Sequence, residues 1–245
     1  MSAYDALAGS YDELTYDVPY LKIEAFFESA LRRFRVDAET VLDLACGTGS
    51  LGILLAQNGF QVIGVDMSEE MLTQASQKSA GMEHPPIWVH QQMQRLRLPQ
   101  KVDAAVCCLD SINYLTNPEH CRKTFQRVYQ SLNSGGMLMF DINTPYKLRG
   151  MDGQVFLDET DDTYCIWRAS LSGGGANCIY CIDLFQREDE NWVRSTEIHT
   201  EHIYTQEELT QYLREAGFRK IHCYGDLSFR KPKETELRIY FVALK

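Results

Sequence analysis

Apolar and polar positions alternate in blocks along the first part of the chain, between residues 40 and 142. Short, nearly continuous apolar runs are separated by stretches with helical spacing, and this is typical of a parallel sheet buried on both faces with right-handed crossovers. We therefore predict an α/β fold built on a mostly parallel sheet. The predicted strands are 40–45, 60–66, 86–91, 102–110 and 136–143.

Helix signals lie between these strands. The stretch GSLGILLAQNG after the first strand predicts a helix closed by Gly59. Ser68 precedes SEEMLTQASQKS and can cap a second helix, with two glutamates placed favourably in the first turn. A third helix is predicted over 117–133, ending at SGG.

The pattern changes at Pro145, where strict alternation and turn signals replace the helical spacing. Turns at 172–177 and 187–191 predict an insertion of three or four antiparallel strands between residues 145 and 204. The chain therefore divides into an N-terminal core, an inserted β lid and a C-terminal part that completes the core sheet. These units are 1–144, 145–204 and 205–245.

The C-terminal part begins with a capping box. Thr205 and Glu208 stand three residues apart at the start of a helix predicted over 205–217. Two further strands, 218–225 and 236–245, follow it. We expect them to form the antiparallel end of the sheet.

Composition excludes several function classes. The chain of 245 residues carries 24 Lys and Arg against 34 Asp and Glu, for a net charge of −10. Such a surface repels a phosphate backbone, so we expect no nucleic-acid partner. No apolar stretch approaches the ~20 residues of a membrane span, and the N-terminus does not resemble a signal peptide, so we expect a cytoplasmic protein with no membrane partner.

The eight cysteines predict neither disulfides nor a metal site. Cys107 and Cys108 lie in an apolar strand, where free cysteine behaves as a small buried hydrophobe, as suits a reducing compartment. Cys178 and Cys181 form a C-x-x-C in a strand-like run. Residues three apart on a strand point to opposite faces, so this pair is not expected to share a metal.

The segment LDLACGTGSLG (42–52) contains a literal G-x-G-x-x-G, formed by Gly47, Gly49 and Gly52. In a dinucleotide-binding loop, such glycines let a pyrophosphate rest on helix-terminal amides. Here Asp43 lies within the strand four residues before Gly47. A carboxylate aimed at a pyrophosphate is unfavourable, whereas one aimed at a cation is favourable, so the residues point to a cationic ligand.

The motif LDLACGTG strongly resembles the first motif of the class I S-adenosylmethionine-dependent methyltransferases. The resemblance implies a Rossmann-like sheet, S-adenosylmethionine as cofactor, an acid before a glycine loop around its amino-acid moiety, and Gly52 as an incidental residue on a helix face. It also implies that Asp66 accepts the ribose hydroxyls and that Gln92 stands where the family often has aspartate. The cofactor-binding residues it implies are Asp43, Ala45, Cys46, Gly47, Gly49, Asp66, Met67, Gln92, Met93, Leu109 and Asp110.

Two further segments are similar to parts of small-molecule methyltransferases. YDALAGSYDEL (4–14) looks like their N-terminal lid helix, and the β insertion resembles the cover sheet of sugar-amine and glycine-type N-methyltransferases. The resemblance implies a small-molecule substrate, and nitrogen and oxygen nucleophiles both remain open.

A proton acceptor for the reaction is sought among polar residues on the elements expected to face the methyl group: Tyr11, Asp110, Asn113, Asn143, and His199 or His202. We predict Tyr11, Asp110 and His199 as the catalytic set. Asp110 can alternatively cap a turn, Tyr11 anchor the N-terminal helix, and His199 fill a core or surface position. His199 and His202 lie on opposite strand faces, so at most one of them faces the site.

Two rival functions remain. The literal G-x-G-x-x-G together with Asp66 also suits a nicotinamide-dependent oxidoreductase. A protein that binds S-adenosylmethionine without catalysis is the other alternative. The oligomeric state, monomer or homodimer, is open.

Overall fold

The computed structural model describes residues 11–245, which form two sheets with helices packed on the larger one. Residues 4–10 of the predicted lid segment lie outside the described residues. The strands are β1 (Thr40–Leu44), β2 (Gln61–Asp66), β3 (Ile87–His90), β4 (Val102–Cys107), β5 (Leu132–Asn143), β6 (Val155–Glu159), β7 (Thr163–Ser172), β8 (Asn177–Glu188), β9 (Asn191–His202), β10 (Lys220–Gly225) and β11 (Arg238–Leu244). The helices are α1 (Tyr11–Leu14), α2 (Tyr20–Phe34), α3 (Ser50–Gln57), α4 (Glu69–Lys78), α5 (Pro118–Ser131), α6 (Pro145–Gly150) and α7 (Gln206–Ala216).

The larger sheet has the strand order β10-β11-β5-β4-β1-β2-β3. Strands β1 to β5 pair in parallel, and β11 runs antiparallel between β5 and β10. The predicted Rossmann-like sheet with its antiparallel end is therefore confirmed. Strand β5 begins earlier than predicted, at Leu132, because this residue pairs with Val102 before a shift in register.

Alternate strand residues face the two helical layers. On β1, Val41 lies in an apolar cluster with Phe27 of α2, while its neighbour Leu42 lies in a second cluster with Phe125 of α5. All four side chains are at most 1% exposed. Burying a side chain of this kind stabilises the fold by about 1.5–3 kcal/mol, so both faces of the sheet contribute.

The helix boundaries follow local capping. The Ser68 hydroxyl accepts the Met71 amide at 3.2 Å, and Thr205 and Glu208 form the predicted capping box. Gly59 adopts φ +94° just after α3, as expected for a residue that ends a helix. Within the described part of the chain, no helix is both long enough and apolar enough to cross a membrane.

The predicted β insertion forms a separate four-stranded antiparallel sheet, ordered β6-β7-β8-β9, which we call the cover sheet. One of its faces is buried, with Cys178 and Ile182 in a small apolar core. Leu148 from α6, a helix the pattern did not predict, belongs to this core. Cys181 instead approaches Arg168 on the more exposed face, so the C-x-x-C pair is divided between the faces as expected.

Trp88 of β3 lies against three glycines. A Cβ added to Gly64 would come within 2.3 Å of the indole, and one added to Gly49 would come within 2.5 Å. A Cβ on Gly52 would lie 2.9 Å from Asp43 Oδ2 and 3.2 Å from the indole. Gly52 is therefore not incidental, because a side chain there would collide with the carboxylate and the indole. The indole N–H donates to Ser79 Oγ at 3.0 Å.

We expect Gly64→Ala to destabilise the protein by about 1–3 kcal/mol, because the added methyl group overpacks the indole of Trp88. The measurement is the free energy of unfolding in urea. Gly150→Ala is the matched control, since no heavy atom lies within 4 Å of its added Cβ. If Gly64→Ala costs as much in a Trp88→Leu background as in the wild type, the indole contact is not the cause.

Candidate active site

A cavity of about 300 Å³ opens at the carboxyl ends of β1, β2, β3 and β4. This is the edge at which open parallel sheets bind ligands. Among the residues predicted from the sequence, those lining it are Tyr11, Asp43, Ala45, Cys46, Gly47, Asp66, Met67, Gln92, Met93 and Leu109. Gly49, Asp110 and His199 are not part of the lining. The sequence reasoning missed Tyr20, Tyr114 and His120, which also line it.

The loop between β1 and α3 turns through left-handed backbone. Ala45, Gly47 and Gly49 have φ of +58°, +53° and +77°. A Cβ on Gly47 would meet no heavy atom within 4 Å, so this glycine leaves open space at the cavity. Gly49 instead faces the Trp88 indole, so its steric requirement comes from packing.

Asp43 is a buried carboxylate with an unsatisfied oxygen. The residue is 2% exposed, and its Oδ2 has no hydrogen-bond partner within residues 11–245. Burial, reinforced by the nearby charge of Asp66, raises the pKa of Asp43 to about 7, although the Gly52 amide favours the charged form. An unpaired buried carboxylate is costly, so this arrangement is suited to a cation.

Asp66 lies beside the same loop. Its Oδ2 accepts the Gly47 amide and its Oδ1 accepts the Ser68 amide, each at 2.9 Å. Burial raises the pKa of Asp66, and these amides act against that rise. The carboxylate therefore holds the glycine loop against the end of β2 while lining the cavity.

The loop after β4 is held by a buried ion-pair network. Leu109 and Asp110 have φ of +58° and +54°, and their amides donate to the fully buried Asp141 at 2.8 and 3.0 Å. Arg238 of β11 bonds to Asp141 and donates to Asp110 Oδ1 at 2.6 Å. Asp110 is held by Arg238 and does not line the cavity, so its observed part is to shape the loop after β4. The available sequence signal for Asp141 is an acid inside the apolar run GMLMFDIN.

His199 lies on β9, with its ring linked to the cavity through a tyrosine. It is 1% exposed, its Nε2 lies 2.7 Å from Glu197 Oε2, and its Nδ1 lies 3.3 Å from the hydroxyl oxygen of Tyr114. Tyr114 lines the cavity. His202 faces the other way and bonds to Asn177 Oδ1 at 2.9 Å.

Asn113 and Asn143 join the two sheets. The Asn113 amide donates to the carbonyl oxygens of Asn143 and His202 at 3.2 and 3.0 Å. Asn143 donates to Glu201 Oε2 at 2.9 Å. Burial, together with the charge of Asp110, raises the pKa of Glu201 to about 8. The two asparagines therefore act as structural links between the larger sheet and the cover sheet.

The first helix is fastened beside the glycine loop. Asp12 accepts the Lys78 ammonium and the Thr48 hydroxyl, each at 2.6 Å. Tyr11, the preceding residue, lines the cavity, and burial raises the pKa of its phenol. These contacts hold α1 over the cavity.

Comparison with known proteins identifies the family. Residues 41–136 match the model of a methyltransferase domain. The chain is 32% identical over 244 residues to YqeM of Bacillus subtilis (strain 168), whose name gives a methyltransferase only provisionally, covering 99% of this chain and 97% of that protein. It is 26% identical over 204 residues to a glycine/sarcosine N-methyltransferase of Halorhodospira halochloris, covering 77% of this chain and 69% of that one.

A solved structure agrees with these relatives. The S-adenosylmethionine-dependent methyltransferase from Clostridium acetobutylicum ATCC 824 superposes with a TM-score of 0.88 at 29% identity, over 99% of each chain. A nicotinamide-dependent oxidoreductase is therefore not retained as an alternative. The chain belongs to the class I S-adenosylmethionine-dependent methyltransferases, and S-adenosylmethionine is its cofactor.

Proposed function

We propose that this enzyme methylates an amine nitrogen of a small molecule, with Asp43 and Asp66 as the carboxylates that hold the cofactor. The observation that carries the cofactor part of the proposal is the buried residue Asp43, which lines the cavity and whose Oδ2 has no hydrogen-bond partner within the described residues. When bound, S-adenosylmethionine supplies an electrophilic methyl group on a sulfonium and also carries an ammonium. A ligand with these positive charges offsets the cost of the unpaired carboxylate.

The other cofactor contacts follow the order of the strand ends. Asp66 retains lone pairs beyond the two amides it accepts, and these can accept the ribose hydroxyls. Met67 and Met93 offer apolar surface for an adenine ring. Gln92 already accepts from the Gln94 side chain at 3.2 Å, and its oxygen can also accept from an adenine amino group. Ala45, Cys46, Gly47 and Leu109 complete the proposed contacts, and Gly49 supports the loop.

A small amine is favoured as the acceptor for two reasons. Asn143, the last residue of β5, donates to Glu201 of the cover sheet, so the inserted sheet adjoins the carboxyl edge of the larger sheet, which suits a small ligand better than a macromolecule. The relative from Halorhodospira halochloris is named for N-methylation of glycine and sarcosine. Methyl transfer requires alignment more than covalent help, and a cavity of about 300 Å³ can align a small acceptor.

Cofactor affinity should depend on pH through Asp43. Its pKa is raised to about 7, and a cation prefers the ionised carboxylate, so binding should tighten as pH rises through 7 and level off above it. Between pH 6 and pH 8 we expect roughly a tenfold gain in affinity for S-adenosylmethionine, measured by isothermal titration calorimetry. Asp43→Asn should bind more weakly and lose this dependence, whereas the exposed control Asp161→Asn should retain it. A wild-type profile in Asp43→Asn would contradict the assignment.

Asp66→Ala should weaken S-adenosylmethionine binding by about 1–3 kcal/mol, because charged hydrogen bonds to the cofactor are lost. The substitution also removes the carboxylate that accepts the Gly47 amide, so the glycine loop is held less firmly and binding weakens further. The dissociation constant at pH 8 is the measurement, with circular dichroism to verify the fold. Unchanged affinity would place Asp66 outside the cofactor site.

The acceptor class can be tested by incubating the enzyme with tritiated-methyl S-adenosylmethionine and a deproteinised extract of cell metabolites. We expect label in a small molecule whose mass and fragmentation place the methyl group on nitrogen. An O-methyl product would overturn the nitrogen assignment. Label confined to protein or tRNA fractions would overturn the small-molecule assignment, and binding without any transfer would support the non-catalytic alternative.

A further inference from the structure

The inner face of β9 carries a row of buried ionisable residues. Glu197, His199 and Glu201 alternate along the strand and are 8%, 1% and 3% exposed. A strand that only supplied a core would place apolar side chains at these positions. The row points instead to chemistry at the junction of the two sheets.

Hydrogen bonding sets the tautomer of His199. An ionised carboxylate can only accept, so the Nε2 atom, 2.7 Å from Glu197, carries the proton and donates it. The Nδ1 lone pair then faces the Tyr114 hydroxyl at 3.3 Å and can accept its proton. Tyr114 reaches the cavity that His199 does not itself line.

We propose that Glu197, His199 and Tyr114 form a proton relay that carries a proton away from the acceptor amine, with Tyr114 at the cavity and His199 as the final acceptor. This proposal rests on the proposed function, since it requires an amine acceptor. Glu197 is a positioning residue that holds the imidazole and stabilises its charged form.

The proton balance is complete within these groups. The acceptor binds as an ammonium and gives one proton to the Tyr114 oxygen. The Tyr114 hydroxyl proton passes to His199 Nδ1, and the resulting imidazolium faces Glu197. The neutral amine then forms the new N–C bond as the C–S bond breaks, and the electron pair of that bond stays on sulfur. No oxidant or further reactant is needed.

The surroundings of His199 support this direction of transfer. Glu197 and Glu201 share its face of β9, Tyr180 of β8 is its cross-strand partner, and Tyr114 approaches from the loop after β4. Besides burial, the charge of Asp110 raises the pKa of Glu201, and the charges of Lys147 and Arg238 act against that rise. Burial raises the pKa of both Tyr180 and Glu201, whereas Glu197 is the carboxylate within hydrogen-bond distance of His199 Nε2.

The burial of the His199 ring also fits a role in proton transfer. The ring lies edge-on to Tyr114 and Trp167, with centroid distances of 5.9 and 6.4 Å. His199 is 1% exposed, and its contact with the Tyr114 hydroxyl offers a route from the ring to the cavity. A base shielded in this way removes the proton without bringing water to the methyl group.

The test compares His199→Asn, Tyr114→Phe and their double variant in single-turnover transfer, using the small-molecule acceptor purified from the metabolite extract. Each single variant should lower the rate of transfer by about 10²-fold, near the lower end for general-base catalysis. The double variant should lose no more than either single one, because the residues act as a unit. Affinity of His199→Asn for S-adenosylmethionine should stay within twofold of the wild type. His202→Asn, on the opposite face of β9, is the matched control.

Glu197→Gln tests the positioning role of this residue. It should lower the single-turnover rate, because the imidazole loses the carboxylate that orients it and stabilises its charged form, while affinity for S-adenosylmethionine stays within twofold of the wild type. An unchanged rate in Glu197→Gln, or additive losses in the double variant of His199 and Tyr114, would overturn the relay.

A spectroscopic measurement tests the relay without an acceptor molecule. In ¹⁵N-histidine spectra of the wild type at pH 8, His199 should be the Nε2–H tautomer, and Glu197→Gln should change its tautomer balance. A protonated Nδ1 would overturn the relay while leaving the proposed function intact. Failure of the wild type to label any small molecule would instead overturn the proposed function, and the relay with it.

Discussion

A buried carboxyl group is the constraint on which the proposed cofactor site depends. Asp43 lies on the interior strand β1, 2% exposed, and its Oδ2 has no hydrogen-bond partner among the described residues. The surrounding structure is adapted to it, because Gly52 leaves room for the carboxylate and Trp88 fills the space behind the loop. Burial makes the ionised form of this carboxyl costly in the free protein, and under our proposal the cationic cofactor offsets that cost when it binds.

A second buried carboxylate, that of Asp141, holds the loop after β4. Asp141 accepts the amides of Leu109 and Asp110, while Arg238 joins Asp141 to Asp110. Two consecutive residues with left-handed backbone are strained, and this network compensates for them. The same network links β4, β5 and β11, so the antiparallel end of the sheet helps to shape the cavity although it contributes no cavity-lining residue among those described.

The cover sheet adds the proposed proton acceptor to this frame. Its apolar core closes one part of the buried face, and the row on β9 brings polar groups against the larger sheet. Asn113 and Asn143 tie the backbone of the two sheets together within hydrogen-bond distance. In this arrangement, Glu197 and His199 of the cover sheet meet the larger sheet at Tyr114, which lines the cavity where we propose that the cofactor binds.

The sequence by itself determined the order and type of the elements, the parallel sheet and the edge at which the site lies. These depend on local periodicity, capping residues such as Ser68, and strand ends that a parallel sheet brings together. Tertiary structure alone decided that Asp110 pairs with Arg238, 128 residues later, that Gly52 makes room for Asp43, and that His199 meets Tyr114. The first and last of those contacts join elements distant in the chain, and in all three no local pattern records which side chains will face each other once the elements pack.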